Sequence, residues 1–516
     1  MINSPLQLVA MCCQPGEIWL LGDGRQQPTI IPERDIHNIN LCIAPDSIIV
    51  TSSIIHELDQ LSIVPDISML DLEVESALIT NGKHKALPKL GRSTALGWTV
   101  YQNSNAIFRK LKAVIQQTKD IWSEINIPEA LKRGRVALDY KRVERQGIPL
   151  NRRRLQSLIY EKWLHLPLIY QKLDIGEFFR AGKLNRRAMS EFIEIHYKDV
   201  WPRSQGGYRI DPSTISDMAR VYGGLLEIIK NLEKFSRWQH DDIEIDSSGI
   251  HHIRFLPFST KTGRSKTDGL SVLGLPKKLR TALLTCEDSY LVEVDISSQD
   301  LAVAAALSED PILIEVYQQS DPYLAFAEMA GVSVYQHNKE RVRSVYKMLC
   351  LAVLYGMSPL TLSKHLACSV EDSSELIKHH QNMFPVLWQW LDNQIVNAYR
   401  DQVVRTASGW QMYITDDTRL TSLMNWPIQA KGADLINLAL RKAIVRGLKV
   451  GAVNHDALYV STDSYDSAIF IAEELKACLQ EAATELLPAI QLKVSTTMYG
   501  PEQSALLPDT LAELII

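Results

Sequence analysis

The chain has 516 residues, 46% of them hydrophobic and 22% charged, with a formal net charge of −5 at pH 7. At about 150 residues per domain, that length predicts roughly three packed units with substantial cores. The acidic balance excludes a uniformly basic nucleic-acid binder, so any polyanion site has to be local.

The first twenty residues lack a basic leader segment, and Pro15 and Glu17 interrupt their apolar run. No signal peptide or membrane span is expected, and the protein is expected to stay in the cytoplasm. Seven cysteines, at 12, 13, 42, 286, 350, 368 and 478, show neither CxxC spacing nor a paired framework. They read as reduced thiols without a zinc site. Residues 1 to 127 hold short apolar runs split by Gly, Pro and Asp, then the helical period of LKAVIQQTKDIWSEI, which predicts a small α/β unit. From 128 to 250 long amphipathic stretches predict helices. Within them, residues 131–154 carry nine basic and two acidic side chains. Taken alone, that run is a solvated helix face more readily than a phosphate-binding surface.

Past residue 251 the pattern becomes strand-like and rich in turns. LVEVD, at 291–295, reads as a buried strand ending in an acid, and the small-residue helix LAVAAALSED follows it. Residues 338–400 return to helical periodicity. After 404 come VVRTASGWQMYI, a helix at 428–446, and VGAVNHDALYVST, two apolar β-branched halves with Asn454, His455 and Asp456 at their joint. A lone His-Asp there is an ordinary turn pair. Paired with Asp295 at another strand end, Asp456 also has the geometry of a two-metal site, in which magnesium borrows phosphate oxygens and needs few protein carboxylates. In RVRSVYKMLCLAVLYGMS, Arg343, Lys347, Leu351 and Tyr355 recur every fourth residue and share one helix face. Two cations followed by an apolar and an aromatic residue suit a nucleoside triphosphate met end-on, with Gly356 allowing close approach. An amphipathic surface helix has the same pattern.

The order of these segments resembles the polymerase domain of family A DNA polymerases. VEVDISSQDL (292–301), RSVYKMLCLAVLYGMS (343–358) and VNHDAL (453–458) are similar to that family's three motifs. TKTGRS (260–265) and NWPIQAKGADLINLAL (425–440) resemble its primer-template segments, and VALDYKRVERQGIPLNRRRL its thumb entry. The resemblance implies a mixed α/β (α+β) right-hand fold behind an RNase H-like, degenerate 3'-5' exonuclease domain at 1–127. The thumb would be 128–250, the palm 251–337 and 401–516, and the fingers 338–400 with a nucleotide-binding helix at 338–356.

The same resemblance implies a DNA-directed DNA polymerase of replication or repair, using two Mg²⁺ ions for which Mn²⁺ substitutes. Its partners would be primer-template DNA and deoxynucleoside triphosphates, and it would act as a monomer. Asp295 and Asp456 would be the metal ligands, and Arg343 and Lys347 would hold the triphosphate, Lys347 also protonating pyrophosphate. Leu351, Tyr355, Gly356 and Asp300 would surround the nucleotide. Arg264, Asn425, Gln429 and His455 would meet the primer terminus, and the basic run with Lys132 and Arg133 would grip duplex phosphates. Departures from the family pattern, Asp300 for Glu, Ala302 for Arg, Leu351 for an aromatic and Ala457 for Glu, suggest a divergent phage- or plasmid-type branch and leave sugar selection open. In the exonuclease-like region no acid precedes Glu17, and Asn105 replaces an Asp in the stretch beginning at Tyr101, so proofreading is expected to be lost. The acids Asp59, Asp66, Asp71 and Glu73 are the alternative ligands. A two-metal nuclease and a non-catalytic nucleic-acid module are the rival readings.

Overall fold

The computed structural model describes residues 7–43, 47–79, 104–172, 174–180, 183–204, 206–237, 243–269, 271–366, 368–406 and 408–501. Tyr101 of the exonuclease-like stretch lies outside them. The chain forms two compact units. The first comprises Met1–Arg145, Phe255–Lys266 and Ala398–Asp416, the second Gln146–Arg254, Thr267–Asn397 and Asp417–Ile516.

The first unit is built on a five-stranded mixed sheet, β1 (Gln7–Gln14), β2 (Glu17–Gly22), β3 (Thr29–Pro32), β4 (Ser47–Thr51) and β5 (Met69–Asp71), in the order β3-β2-β1-β4-β5. β1, β2 and β3 are antiparallel neighbours, while β4 and β5 run parallel to β1. β1 is apolar on both faces because both are covered. Val9, Met11 and Cys13 join a core with Ile54, Leu58, Ala137 and Leu138, while Leu8, Ala10 and Cys12 join one with Leu111 and Val114. The adjacent cysteines therefore point to opposite faces, as the twofold strand period requires. Both are free thiols, and burial, followed by the Glu57 charge, pushes the Cys12 thiol up to about 12.

Two helices flank this sheet, α1 (Ser104–Ile121) and α2 (Ile127–Gln146). The break expected at 127 falls at the start of α2, which stays with the first unit as far as Arg145. The basic run on α2 is matched by acids of that unit. Arg133 is almost fully buried and donates from Nε and Nη2 to Glu75 at 2.7 and 2.6 Å. Arg135 meets Asp66 at 2.5 Å, Arg142 meets Asp139 at 2.8 Å, and the buried Lys141 pairs with Asp59 and Glu144. Lys132 is exposed and bridges Glu129 at 3.0 Å. Arg133 is thus an internal ion-pair member and not a phosphate-facing cation, which corrects the expectation for it. Glu75 lies 58 residues from Arg133 and Asp59 82 from Lys141, too far for local charge counting to register them.

The second unit carries a four-stranded antiparallel sheet, ordered β7-β8-β6-β9. Its elements, in chain order, are β6 (Tyr290–Ile296), α3 (Gln299–Ser308), α4 (Pro311–Gln318), α5 (Pro322–Met329), α6 (Lys339–Leu354), α7 (Leu420–Val445), β7 (Val450–Asn454), β8 (Ala457–Thr462), α8 (Tyr465–Leu486) and β9 (Val494–Tyr499). α8 packs on the sheet, α7 on α3 and α8, and α6 on α3 and α5. Asp310, fully buried, caps α4 through the Ile312 and Leu313 amides at 3.0 Å. Its other oxygen takes the Val386 and Leu387 amides at 3.1 and 3.0 Å, at the start of the helix Pro385–Asp401. Among the described residues no helix is long and apolar enough to cross a membrane.

Removing one member of a buried ion pair strands the other charge, at a cost of about 3–5 kcal/mol. Arg133→Ala is therefore expected to destabilise the protein by about that amount in chemical denaturation, while Lys132→Ala changes stability by less than about 1 kcal/mol.

Candidate active site

Val292, Val294 and Ile296 of β6 point into the core, so Glu293 and Asp295 share the opposite face. β8 pairs with β6 in a register that sets Ala457 opposite Asp295 and Tyr459 opposite Glu293. The hairpin joining β7 to β8 closes on the Asn454–Ala457 pair, leaving His455 and Asp456 as the two turn residues. His455 takes a positive φ of 54° and is exposed at the tip. The Ile296 amide donates to the Asp456 carbonyl at 3.1 Å, locking the tip to the end of β6.

This brings the Asp295 and Asp456 carboxyls into hydrogen-bond contact. Burial, then the facing Asp456 charge, push the Asp295 carboxyl up to about 8, while the Lys347 ammonium pulls it down. Glu293 adds a further negative charge behind the pair. Its oxygens accept from the Tyr459 hydroxyl at 2.8 Å and from the Tyr499 hydroxyl. Among the described residues no cluster of three or more His, Cys, Asp or Glu side chains is placed to hold a metal ion. Two facing carboxylates, hard oxygen donors that repel each other, nonetheless fit a divalent cation that takes its remaining ligands from water and phosphate.

α6 presents the stripe expected from its sequence. Tyr346, Leu349, Cys350, Val353 and Leu354 are buried, whereas Arg343, Lys347, Leu351 and Tyr355 lie on the partly or fully exposed side. Tyr355 caps the helix, and Gly356 follows with φ 61° at a point where a Cβ would stand 2.9 Å from Met424 and 3.0 Å from Thr421. The Tyr355 hydroxyl donates to Asp300 Oδ2 on α3 at 3.0 Å and accepts from Gln429 Nε2 on α7 at 2.9 Å. One helical turn before Gln429, Asn425 is buried and its Nδ2 has no hydrogen-bond partner. Arg343 donates from Nε to Asp321 Oδ2 at 2.5 Å.

The family model for DNA polymerase family A matches residues 206–500, more than half of the chain. The chain belongs to DNA polymerase family A. It is 27% identical over 390 residues to the thermostable DNA polymerase I of Thermus caldophilus, covering 69% of this chain and 46% of that protein. To the Thermus aquaticus enzyme it is 31% identical over 314 residues, covering 54% and 37%. To the DNA polymerase I of Bacillus caldotenax it is 24% identical over 334 residues, covering 59% and 36%. The chain spans about half the length, or less, of these relatives. Its fold is similar to the POL domain of Pol1 from M. smegmatis, solved in complex with DNA primer-template and dNTP. The TM-score is 0.73 at 17% identity, with 96% of each chain covered.

Within this family A chain, Asp295, Asp300, Arg343, Lys347, Leu351, Tyr355, Gly356, Asn425, Gln429, His455 and Asp456 all belong to the second unit. Arg264 belongs to the first, on the turn after Gly263. There a Cβ would lie 3.1 Å from the Trp410 ring, and the Thr260 hydroxyl donates to the Arg264 carbonyl at 3.1 Å. Two residues escaped the sequence reading. Glu293 had a usable signal, since an acid two positions before Asp295 on a strand must share its face. Asp321 is legible as a helix cap before Pro322, but its pairing with Arg343 is a tertiary contact.

The hairpin carrying Asp456 is seated by Gly451, where a Cβ would lie 1.8 Å from the Gly147 carbonyl oxygen. Gly451→Ala is expected to shift the hairpin and cost about 1–3 kcal/mol of overpacking. Thermal unfolding checks this, with wild-type stability as the contrary result.

Proposed function

We propose that this chain is a template-directed DNA polymerase that adds deoxynucleotides to a primer 3' end by a two-metal-ion mechanism and acts in replication or repair. The observation that carries the reading is the Asp295–Asp456 contact, with the Lys347 charge acting on it from a helix face that also bears Arg343. A nuclease built on the same carboxylates would have no use for that cationic face, and a non-catalytic module none for the acid pair. Family membership and identities of 24–31% to DNA polymerase I enzymes support the polymerase reading. In this assignment 128–250 is the thumb, 251–337 with 401–516 the palm, and 338–400 the fingers.

Asp295 and Asp456 would hold the ions. When bound, Mg²⁺, or Mn²⁺ in its place, supplies activation of the primer 3'-hydroxyl and charge neutralisation at the leaving pyrophosphate. Arg343 and Lys347 bind the triphosphate by charge-assisted hydrogen bonds. Lys347 then donates a proton to the departing pyrophosphate. Leu351 and Tyr355 lie against the base, Gly356 leaves room beside them, and Asp300, held by the Tyr355 hydroxyl, borders the sugar. Arg264 contacts DNA from the turn after Gly263, and Asn425, Gln429 and His455 meet the primer-template near its terminus. The unmade hydrogen bond of the buried Asn425 amide supports that role, because such a donor is costly without a partner.

Asp295→Ala and Asp456→Ala are each expected to reduce nucleotide addition by more than about a hundredfold and to leave primer-template affinity nearly unchanged, since affinity draws on many phosphate contacts. Primer extension with a parallel DNA-binding titration tests this. Near wild-type extension by either variant would overturn the site.

The first unit, in this reading, is a degenerate exonuclease-like domain without proofreading. Its acids serve packing and pairing. Asp59 pairs with Lys141 and Asp66 with Arg135, and Glu57 pairs with the buried Lys110 while accepting the Cys13 amide at 2.9 Å. Asp71 caps the helix Ile54–Leu58 by accepting the Ile54 amide at 2.8 Å, and burial, reinforced by Glu73, pushes its carboxyl up to about 7. Neutral or cation-paired acids are poor ligands for hard ions. A 3'-mismatched, end-labelled primer incubated with Mg²⁺ or Mn²⁺ but no nucleotides is expected to keep its length. Shortening lost on Asp59→Ala or Asp71→Ala, and kept by Asp456→Ala, would reinstate the exonuclease.

A further inference from the structure

We propose that Asp321 sets the affinity for the incoming nucleotide, its carboxylate competing with the triphosphate for the Arg343 guanidinium. This rests on the reading of Arg343 as a triphosphate ligand and adds to it a protein group that the triphosphate has to displace.

Asp321 is not a casual surface partner. Its Oδ1 accepts the Tyr323 and Leu324 amides at 3.0 and 3.2 Å, capping α5, and Pro322 fixes the first helical position. The carboxylate is therefore aimed by its own helix, and the remaining oxygen, Oδ2, receives Arg343 Nε at 2.5 Å. The guanidinium also lies over the buried Tyr323 ring, 5.4 Å from its centroid, so α5 holds Arg343 by charge and by an aromatic face. Although partial burial opposes its charge, the Arg343 hydrogen bond and the two amides keep the Asp321 carboxyl below its ordinary value, and it faces Arg343 ionised. The neighbouring cation Lys493 is engaged elsewhere, donating to the carbonyls of Tyr317 at 3.1 Å, Ser320 at 3.4 Å and Gln319.

A carboxylate and a phosphate oxygen make the same charge-assisted demand on a guanidinium. A polyanion approaching Arg343 therefore meets a negative charge already seated there. Every triphosphate that takes Arg343 has to displace Asp321 first, so the ion pair sets a cost of binding that is the same for correct and mispaired nucleotides and keeps nucleotide affinity below what the guanidinium alone would give.

The test uses the full chain in single-nucleotide insertion, with correct and mispaired deoxynucleotides, resolving kcat from KM. Asp321→Asn and Asp321→Ser both retain a capping oxygen while removing the charge. Each is expected to lower KM for the correct nucleotide by about two- to fivefold, the range of a partly exposed ion pair, to lower KM for a mispaired one by the same factor, and to leave kcat nearly unchanged. Thermal unfolding near wild type separates this from loss of the cap, which Asp321→Ala would show. Arg343→Ala is the reference. If it raises KM but the Asp321 variants leave KM unchanged or raise it, the competition is overturned and the ligand role of Arg343 stands. If Arg343→Ala leaves KM unchanged, the reading of Arg343 falls and the proposal with it.

Discussion

Everything chemical in the second unit depends on the register between β6 and β8. With Ala457 opposite Asp295 and the Asp456 carbonyl taking the Ile296 amide, the backbone sets two carboxylates side by side before any side-chain preference is consulted. Burial first, and then the like charge of Asp456, raise the Asp295 carboxyl to about 8, so the placement is unfavourable for two ionised acids. The sheet tolerates the conflict because its interior is apolar and continuous. Val292, Val294, Leu458 and Val460 are buried beside it, and each such side chain contributes about 1.5–3 kcal/mol. Stability is thus supplied on one face of the sheet and chemistry on the other.

The first unit treats charge in the opposite way. Arg133–Glu75, Lys141–Asp59 and Lys110–Glu57 are matched pair by pair, so each cation buried in its interior has an acid beside it. Such pairs contribute little net stability compared with apolar packing, yet each is expensive to break singly. Once an acid has a buried cation for a partner, its charge is spent.

What could be read in the sequence follows from this contrast. The Asp295 strand end, the α6 stripe and the His455–Asp456 hairpin were legible because each is local, set by a period of two, by a period near 3.6, or by a two-residue turn. The convergence of Asp295 with Asp456 needed the family resemblance, since the residues stand 161 positions apart in the numbering. The fate of Arg133 was not legible. Its partner Glu75 is 58 residues away, and a run of cations on a helix reads the same whether solvent, phosphate or a distant acid faces it. The packing of α2 in the first unit was not legible for the same reason, because the periodicity of a helix says which face is buried but not against what.

α6 links these local features to one another. Near its start Arg343 is held by Asp321 of α5, and just past its end the Tyr355 hydroxyl joins Asp300 of α3 to Gln429 of α7. The two attachments are twelve residues apart, about 18 Å along a helix, and Lys347 lies between them, its charge felt at Asp295. Both are made by polar groups on the exposed face, while the opposite face is packed through Tyr346, Leu349, Cys350, Val353 and Leu354. Polar contacts of this kind exchange partners at small net cost, because a phosphate, a water or a base edge can replace the carboxylate or amide lost. Apolar packing has no such substitute. A helix anchored by its core face and pinned by exchangeable contacts on its exposed face can change what it binds without refolding.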